Sequence, residues 1–298
     1  GAARGGGAAC GGGGRAPGLW GGCKVGVVWY VAERVNRTLK HRRLGRATSG
    51  VQLGGTGLSN PMKAFTGIER LALRAERAPG GYRVRGRLPW VSNIGPDHVF
   101  ASVFVLPNGR RVMAMFDARD SAIKLVRSAE FIALEGTGTY TVLVKGAFVP
   151  DDHILAEDAA TFVPRIRQGF VLLQFGMGLG LARGAADAMK AHAATAANAA
   201  WLPLQPDEIL ERAAALEARA AALARNVADP GRAAFMAVLA ARLDVAELAM
   251  AAAQAAALQA GAGGYLQGSA SHRRQREALF VGIVTPSVKH ITMELARG

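Results

Sequence analysis

The residues with the clearest chemical potential lie in a short stretch of the first half of the chain, at Trp90, Ser92 and Asn93. Before them, Tyr82 and Val84 alternate with arginines, which is typical of a half-buried strand. Trp90 offers a flat apolar ring, and Ser92 lies two residues on, on the same side of a strand, with a hydroxyl that donates or accepts. This combination suits a planar heteroaromatic ligand. Packing of the tryptophan at the rim of a core is the alternative.

Three other stretches could hold an anion. The run Gly54-Gly-Thr-Gly-Leu-Ser-Asn60 can present backbone N–H groups to phosphate, but we predict no strand–turn–helix context around it, as a P-loop or dinucleotide fingerprint needs. Residues 176–180 (Gly-Met-Gly-Leu-Gly) fall in an apolar helical pattern, where glycines permit close helix packing. The basic cluster at residues 272–276 can bind phosphate or form a solvated helix face.

Several reaction classes have no support. The six histidines form no His-Glu-x-x-His or similar spacing, so no metal site is predicted. The serines lack a Gly-x-Ser-x-Gly context, which disfavours a hydrolase. The two cysteines, Cys10 and Cys23, suggest neither zinc nor a disulfide framework, so we expect a reducing, cytoplasmic location.

Charge and hydropathy also limit the partners. The net charge of +14 favours nucleic-acid binding, but residues 1–50 hold nine basic residues and one acid, and they carry +8 of it. We therefore predict no nucleic-acid partner. The longest apolar run, residues 169–182, is too short to span a bilayer, and no signal peptide opens the chain.

Three regions follow from composition: a low-complexity basic segment (1–50), a β domain (51–155) and a helical domain (156–298). Glycine and alanine dominate residues 1–23, which predicts disorder. Residues 31–46 could form a basic helix that touches acidic lipid or nucleic acid; a solvated face and a sequence artefact are the alternatives.

The β domain is predicted from short strands between turn signals such as Pro107-Asn-Gly109, which indicates a hairpin. The predicted strands are residues 70–77, 82–84, 98–106, 112–116, 130–134 and 139–144. With no helices between them, they indicate an antiparallel sandwich or barrel.

The remainder of the chain is predicted to be a four-helix bundle. One long helix covers residues 166–194, and a second runs from Pro206 to about residue 225. Asp229-Pro230 caps a third, which ends at residues 261–264. Residues 273–296 supply a last pair of helices, broken at Pro286.

Several motifs together resemble the acyl-CoA dehydrogenase family, from about residue 54 to residue 297. Trp90-Val-Ser-Asn93 is similar to the family's Trp-Ile-Thr-Asn, and Thr56-Gly-Leu-Ser-Asn60 resembles its flavin-side loop. Gly136-Thr-Gly-Thr139 and Phe148-Val-Pro-Asp-Asp152 match the strand and exit motif before the C-terminal helices. Residues 259–265 resemble the Gln-x-x-Gly-Gly-x-Gly segment.

The resemblance implies FAD bound between the β domain and the helices of a neighbouring subunit, in a homodimer or homotetramer. It implies dehydrogenation at the CH–CH group of an acyl-CoA thioester, with electrons leaving to an electron-transfer flavoprotein. The implied cofactor-binding residues are Thr56, Ser59, Trp90, Ser92, Gln259, Gly261, Gly263 and Ser287.

Two departures accompany the resemblance. The position of the family's catalytic glutamate is Thr285, and the alternative base position falls near Phe170, so the catalytic residue is unknown. A threonine hydroxyl cannot replace a carboxylate as general base, because its acidity at neutral pH is negligible. Residues 1–50 stand where the family has an N-terminal helical domain, so we expect that domain to be largely missing, through truncation or an altered reading frame.

The missing glutamate leaves two rival functions open. A flavin-dependent monooxygenase on the same scaffold does not need that base. A non-catalytic family member would keep the helical bundle without competent chemistry, and it would bind no flavin tightly.

Overall fold

The computed structural model describes residue 26 and residues 28–33, 53–192 and 198–298. Most of the predicted low-complexity segment lies outside these residues. The strands are β1 Gly54–Thr56, β2 Leu73–Ala78, β3 Gly81–Val91, β4 Val99–Val105, β5 Arg111–Asp117, β6 Ile123–Val126, β7 Tyr140–Pro150 and β8 Ile154–Ala156. The helices are α1 Ser59–Phe65, α2 Ala159–Leu172, α3 Phe175–His192, α4 Pro206–Leu223, α5 Arg232–Ala260, α6 Ala270–Ile283 and α7 Val288–Ala296.

The predicted order of a β region followed by a helical bundle is confirmed. The eight strands form one sheet in the order β6-β7-β3-β2-β4-β5-β8, with β1 beside β4. The pairing is antiparallel except for β1–β4 and β2–β4, which are parallel. The predicted antiparallel domain thus contains two parallel pairs. They arise because α1 links β1 to β2 in the same direction, and the β2–β3 hairpin with the loop after β3 then brings β4 back parallel to β2.

The two faces of the sheet have different partners. Alternate residues of β4 and β5 point inward, where the rings of Phe100 and Phe116 stack at 5.0 Å between centroids. The intervening residues, including Val103, Met113 and Met115, belong to the core that the sheet shares with the helices. Strand periodicity thus fixes both the inner core of the β domain and its contact with the bundle.

Some predicted strands needed correction. The hairpin at residues 107–109 is confirmed, since β4 pairs with β5 and Gly109 has a positive φ of 83°. The strand predicted at residues 130–134 is absent; that stretch is irregular and ends at Leu134 with φ 64°. Besides β3, the strand that pairs with β7 is β6, earlier in the chain than the predicted one. The expectation of no helix after Gly54–Thr56 was also wrong, because α1 follows that strand directly.

The predicted helix at residues 166–194 is two helices, α2 and α3. Hydrogen bonding tightens between them, where Gln174 N donates to Val171 O at 3.0 Å and Met177 N to Gln174 O at 3.2 Å. The third predicted helix begins at Arg232 with Gly231 as its cap, so the cap at Asp229-Pro230 was misplaced. The break near Pro286 is confirmed, with α6 ending at Ile283 and α7 beginning at Val288.

The glycines at residues 176–180 serve helix packing. A Cβ added to Gly178 would lie 2.4 Å from Val245 Cγ1 on α5, so only glycine permits this approach. The stretch 159–192 is long and apolar enough to cross a membrane, but 72% of its most apolar window is buried inside the protein. Such burial is typical of core helices, so the length and hydropathy of this stretch are weak evidence for a membrane span.

A short helical segment at residues 28–32 packs on the bundle. Tyr30 and Val31 are buried in the core that the sheet shares with the helices. Trp29 Nε1 donates to Ile166 O at 3.2 Å, and the ring lies where a side chain at residue 169 would stand.

Candidate functional site

The end of β3 forms an exposed aromatic rim. Trp90 is 61% exposed and has a positive φ of 54°, and Asn93 also has a positive φ, of 55°. Such backbone is uncommon for residues other than glycine, although asparagine adopts it more readily than most, and strained backbone clusters at functional sites. The ring of Phe131 meets Trp90 edge-on, with centroids 6.4 Å apart. The indole ring of Trp90 is therefore largely exposed to solvent, with one aromatic neighbour.

Beside the ring, a chain of hydroxyl groups begins at Ser92. Thr139 Oγ1 donates to Ser92 Oγ at 2.9 Å, and Thr137 Oγ1 lies 2.9 Å from Thr139 Oγ1. Asn93 is buried, and its Nδ2 donates to Gly54 O at 2.8 Å. The side chain of Asn93 thus fixes the rim to β1, and Ser92 remains at the half-buried surface.

Strand β1 brings a second hydroxyl to the same place. Thr56 lies opposite Ser92 in an antiparallel bridge. A Cβ on Gly55 would lie 2.7 Å from Ser92 O, so the approach of these backbones requires glycine. Thr56 Oγ1 is buried and has no hydrogen-bond partner among the described residues. A buried polar atom without a partner is costly, and an ordered water or a ligand at this place would remove that cost.

The Gly-rich loop also contacts the helical domain. Ser59 Oγ and Thr285 Oγ1 lie 2.7 Å apart and share a hydrogen bond. The structure therefore joins the predicted flavin-side loop to the position where the resemblance implied a general base. That position carries a hydroxyl, and Phe170, near the alternative base position, is buried in the core.

A buried polar network supports this pair from behind. Gln174 Nε2 donates to Thr285 O at 2.9 Å, and Arg242 Nε donates to Gln174 Oε1 at 3.3 Å. Arg242 Nη2 donates to Val281 O at 2.6 Å, and its Nη1 has no partner among the described residues. Burial lowers the pKa of Arg242 to about 10. A fully buried guanidinium thus holds the end of α6 and the residue that orients Thr285.

The other predicted cofactor residues make no hydrogen bond with this hydroxyl pair. Gln259 Nε2 donates to Met189 O at 2.6 Å, and Gly261 and Gly263 face open space. Ser287 caps α7, its Oγ accepting from His290 N at 3.4 Å. Gln259 and the two glycines precede α6, and Thr285 follows it, so one helix of 14 residues, about 21 Å, separates the two groups.

An exposed apolar surface surrounds the glycines before α6. Tyr265 is 93% exposed, Leu266 66% and Leu258 59%. Large apolar side chains grouped at a surface are typical of contacts with another chain.

The sequence interpretation missed the supporting residues. Arg242 stands three residues after Leu239 within the apolar stripe of α5, and a lone charge on a buried face was the available signal. Arg276, in the basic cluster, donates through Nη1 to Ile132 O and so joins α6 to the loop beside Phe131. Among the residues that the structure describes, no three His, Cys, Asp or Glu side chains are grouped as a metal ion requires.

No family model matches the chain. The benzylmalonyl-CoA dehydrogenase of Aromatoleum aromaticum is 24% identical over 155 residues, which are 50% of this chain and 41% of the relative. The chain thus spans less than half of that relative's length.

Solved structures match over most of the chain. Butyryl-CoA dehydrogenase from Megasphaera elsdenii has a TM-score of 0.81 at 13% identity, covering 95% of this chain and 77% of its own. Dibenzothiophene monooxygenase from Paenibacillus sp. A11-2 has 0.79 at 16% identity, covering 95% and 78%. A glutaryl-CoA dehydrogenase from Mycobacterium smegmatis, in complex with FADH2, has 0.72 at 15% identity, covering 95% and 76%. The predicted resemblance is confirmed at the level of the fold.

Proposed function

We propose that this chain, which has the fold of the acyl-CoA dehydrogenases, is an FAD-dependent oxidoreductase acting on the CH–CH group of an acyl-CoA thioester. The observation that carries the proposal is the rim at the end of β3, where the exposed indole of Trp90 is followed by the Ser92 hydroxyl and Ser92 is paired with Thr56, whose hydroxyl has no partner among the described residues. The names of the dehydrogenases that share the fold support the same reaction class.

The residues present fit a flavin. The Trp90 face offers stacking area for a planar ring system, and Ser92 can donate a hydrogen bond because its oxygen already accepts one from Thr139. Thr56 Oγ1 would gain the partner that the protein lacks. When bound, FAD would supply the acceptor for hydride from the substrate.

The chain's own residues bind and orient the reactants. Gly55 lets β1 approach Ser92 closely, so both hydroxyls are fixed by backbone pairing. Ser59 and Thr285 close the seam between the β domain and the bundle, and a thioester oxygen is the kind of acceptor to which such hydroxyls donate. Neither can take a carbon-bound proton, so dehydrogenation requires a base other than residue 285.

The remaining predicted residues favour an oligomeric site. The 14-residue helix α6, about 21 Å long, lies between residues 259–263 and Thr285 along the chain. We propose that Gln259, Gly261 and Gly263 meet the cofactor of a neighbouring subunit, in a homodimer or homotetramer. The exposed Tyr265 and Leu266 would then be covered by the neighbour. An electron-transfer flavoprotein is the proposed electron acceptor.

A flavin-dependent monooxygenase is the second candidate. The specific observation in its favour is the hydroxyl at residue 285, together with a monooxygenase among proteins of the same fold. It requires no carboxylate at that position. Rapid reaction of the reduced protein with oxygen would favour the monooxygenase.

The flavin site is tested with paired tryptophan variants. Trp90→Leu removes the proposed stacking platform, and Trp201→Leu removes a tryptophan that is 88% exposed on the link between α3 and α4. FAD binding is measured by the quenching of flavin fluorescence, with circular dichroism to verify folding. We expect Trp90→Leu to weaken binding by about 10-fold, since an aromatic contact contributes on the order of 1 kcal/mol beyond its burial.

The Trp201→Leu control shows whether a loss of FAD affinity is specific to Trp90. Unchanged affinity in Trp201→Leu, with weakened affinity in Trp90→Leu, supports the site. Equal affinity in both variants would remove the rim from the flavin site. Failure of the folded wild-type protein to bind FAD would refute the flavoprotein proposal and leave a non-catalytic scaffold.

A further inference from the structure

The face of the sheet that packs on the helices also carries, at its exposed end, a row of basic residues that the flavin site does not use. Arg74 on β2 lies directly opposite Arg85 on β3. Arg74 also pairs with Val105 on β4, which lies opposite Arg111 on β5. Directly paired residues share a face of a sheet, so the three arginines stand in one row. All three are exposed.

The row is broad. Arg85 to Arg111 covers three strand spacings, roughly 14 Å. On the far side, Lys145 on β7 pairs with Arg85 and adds a fourth cation at the edge of the row. Arg83 lies two residues before Arg85 and therefore on the same face, opposite Glu76.

The arginines line a concave surface. The three arginines of the row line an open cleft of about 830 Å³, together with Arg70, Leu71 and Pro107. We call Arg70, Arg74, Arg83, Arg85 and Arg111 together the arginine cleft.

Charge in the arginine cleft is unbalanced. Two acids line it: Glu69 is hydrogen-bonded by Lys63 at 2.9 Å and Asn60 at 2.7 Å, and Glu76 is the other. In the described part of the chain, no carboxylate forms an ion pair with any arginine of the cleft.

Two of the guanidinium groups meet aromatic rings. That of Arg111 lies 5.0 Å from the Phe65 ring centroid, and that of Arg83 lies 6.0 Å from that of Phe148. These contacts orient the cations without neutralising them.

Like charges directly opposite each other destabilise a sheet. The pair Arg74–Arg85 is such a contact, and its cost falls when an anion lies between the two guanidinium groups. A guanidinium binds phosphate oxygens through paired hydrogen bonds, which is why arginine is common at phosphate sites. A width of roughly 14 Å exceeds what one phosphate can bridge.

We propose that the arginine cleft binds a small ligand that carries two or more phosphate groups. Free nucleotides and the phosphorylated end of coenzyme A share this chemistry. The residues of the arginine cleft are not those of the flavin site. Ligand binding to the cleft can therefore be measured in the absence of catalysis.

Isothermal titration calorimetry of the full chain tests the proposal with three probes: inorganic pyrophosphate, ADP and coenzyme A. The variant is Arg74→Gln, and the control is Arg225→Gln, which removes an exposed arginine from the link after α4. We expect 1:1 binding of at least one probe in wild-type protein, weaker at higher KCl concentration. Arg74→Gln should weaken it roughly 10-fold or more, since hydrogen bonds to charged groups are among the strongest.

A second measurement separates binding from damage to the fold. Because Arg74→Gln removes a repulsive pair, it should leave the ligand-free Tm unchanged or raise it by about 1 to 3 °C. Weaker binding together with an unreduced Tm supports the proposal, and the probe that binds most tightly identifies the source of the phosphates. Absence of binding by all three probes at low salt, or equal affinity in Arg74→Gln and Arg225→Gln, would overturn it.

Discussion

Replacement of Arg242 by methionine tests the electrostatic cost of the network behind Ser59 and Thr285. Burial lowers the pKa of Arg242 well below its usual range, to about 10. A difference of this size corresponds to roughly 3 kcal/mol against the charged form in the folded state. The side chain is fully buried, so solvent does not screen this cost.

Removal of the buried charge should stabilise the folded state, but the loss of the Arg242 hydrogen bonds opposes this gain in stability. The methionine of Arg242→Met fills part of the space of the arginine, but Gln174 Oε1 and Val281 O lose their hydrogen-bond donor. Each bond from a charged group contributes about 1.5–3 kcal/mol. We therefore expect Arg242→Met to lower the free energy of unfolding by about 0–3 kcal/mol. Arg242→Ala also leaves a cavity and should lose about 2 kcal/mol more.

The cost of burying the charged Arg242 also makes folding stability depend on pH. Below pH 10 the guanidinium is charged in both states, so the cost of burial is fully present. As the pH rises through about 10, the folded state releases the proton before the unfolded state does, and wild-type stability rises relative to the variant. Urea unfolding followed by circular dichroism at pH 7 and pH 10.5 measures both. The reasoning is refuted if the difference in unfolding free energy between wild type and Arg242→Met does not widen at pH 10.5. It is also refuted if the variant loses more than about 5 kcal/mol of unfolding free energy at pH 7.

Three further predictions follow from buried groups and close contacts. Burial lowers the pKa of His290, so the folded state binds its proton less readily; stability should fall as the pH drops below about 6.5, and in urea titrations His290→Gln should lack that part of the fall. Gly86→Ala should cost about 3 kcal/mol or more in urea unfolding, because its Cβ would lie 2.2 Å from Ala72 O at φ 144°, whereas Gly109→Ala, in open space, should cost about 1; equal losses would contradict this. Thr56→Val should leave the flavin-free Tm unchanged or higher yet weaken FAD binding several-fold in a fluorescence titration, and unchanged affinity would count against a flavin at Thr56.

The order of strands and helices could be predicted because its signals are local. Pro107-Asn-Gly109 encodes a hairpin, and Pro206 starts a helix whatever surrounds it. Residues 130–134 carry an apolar pattern as well, yet β7 pairs with residues 123–126, because pairing depends on which segment reaches the neighbouring strand. The division between α2 and α3 could not be predicted either. It lies at Gln174, whose side chain contacts Thr285 and Arg242, both distant in sequence.

The candidate site could be predicted in part. Trp90 and Ser92 were identified from their spacing and from a resemblance, and the structure puts Thr56 opposite Ser92. The contact between Ser59 and Thr285 joins residues 226 positions apart, which no local pattern encodes. The arginine cleft has the same origin: Arg74, Arg85 and Arg111 form a row only because of the register of four strands.

The most direct test of the flavoprotein account is the visible spectrum of the purified protein supplied with FAD, recorded before and after anaerobic addition of a panel of acyl-CoA thioesters. The account predicts a bound oxidised-flavin spectrum that bleaches with at least one thioester. Bound flavin that no thioester bleaches would contradict the dehydrogenase reaction and favour the monooxygenase. Folded protein that binds no flavin would contradict the account as a whole.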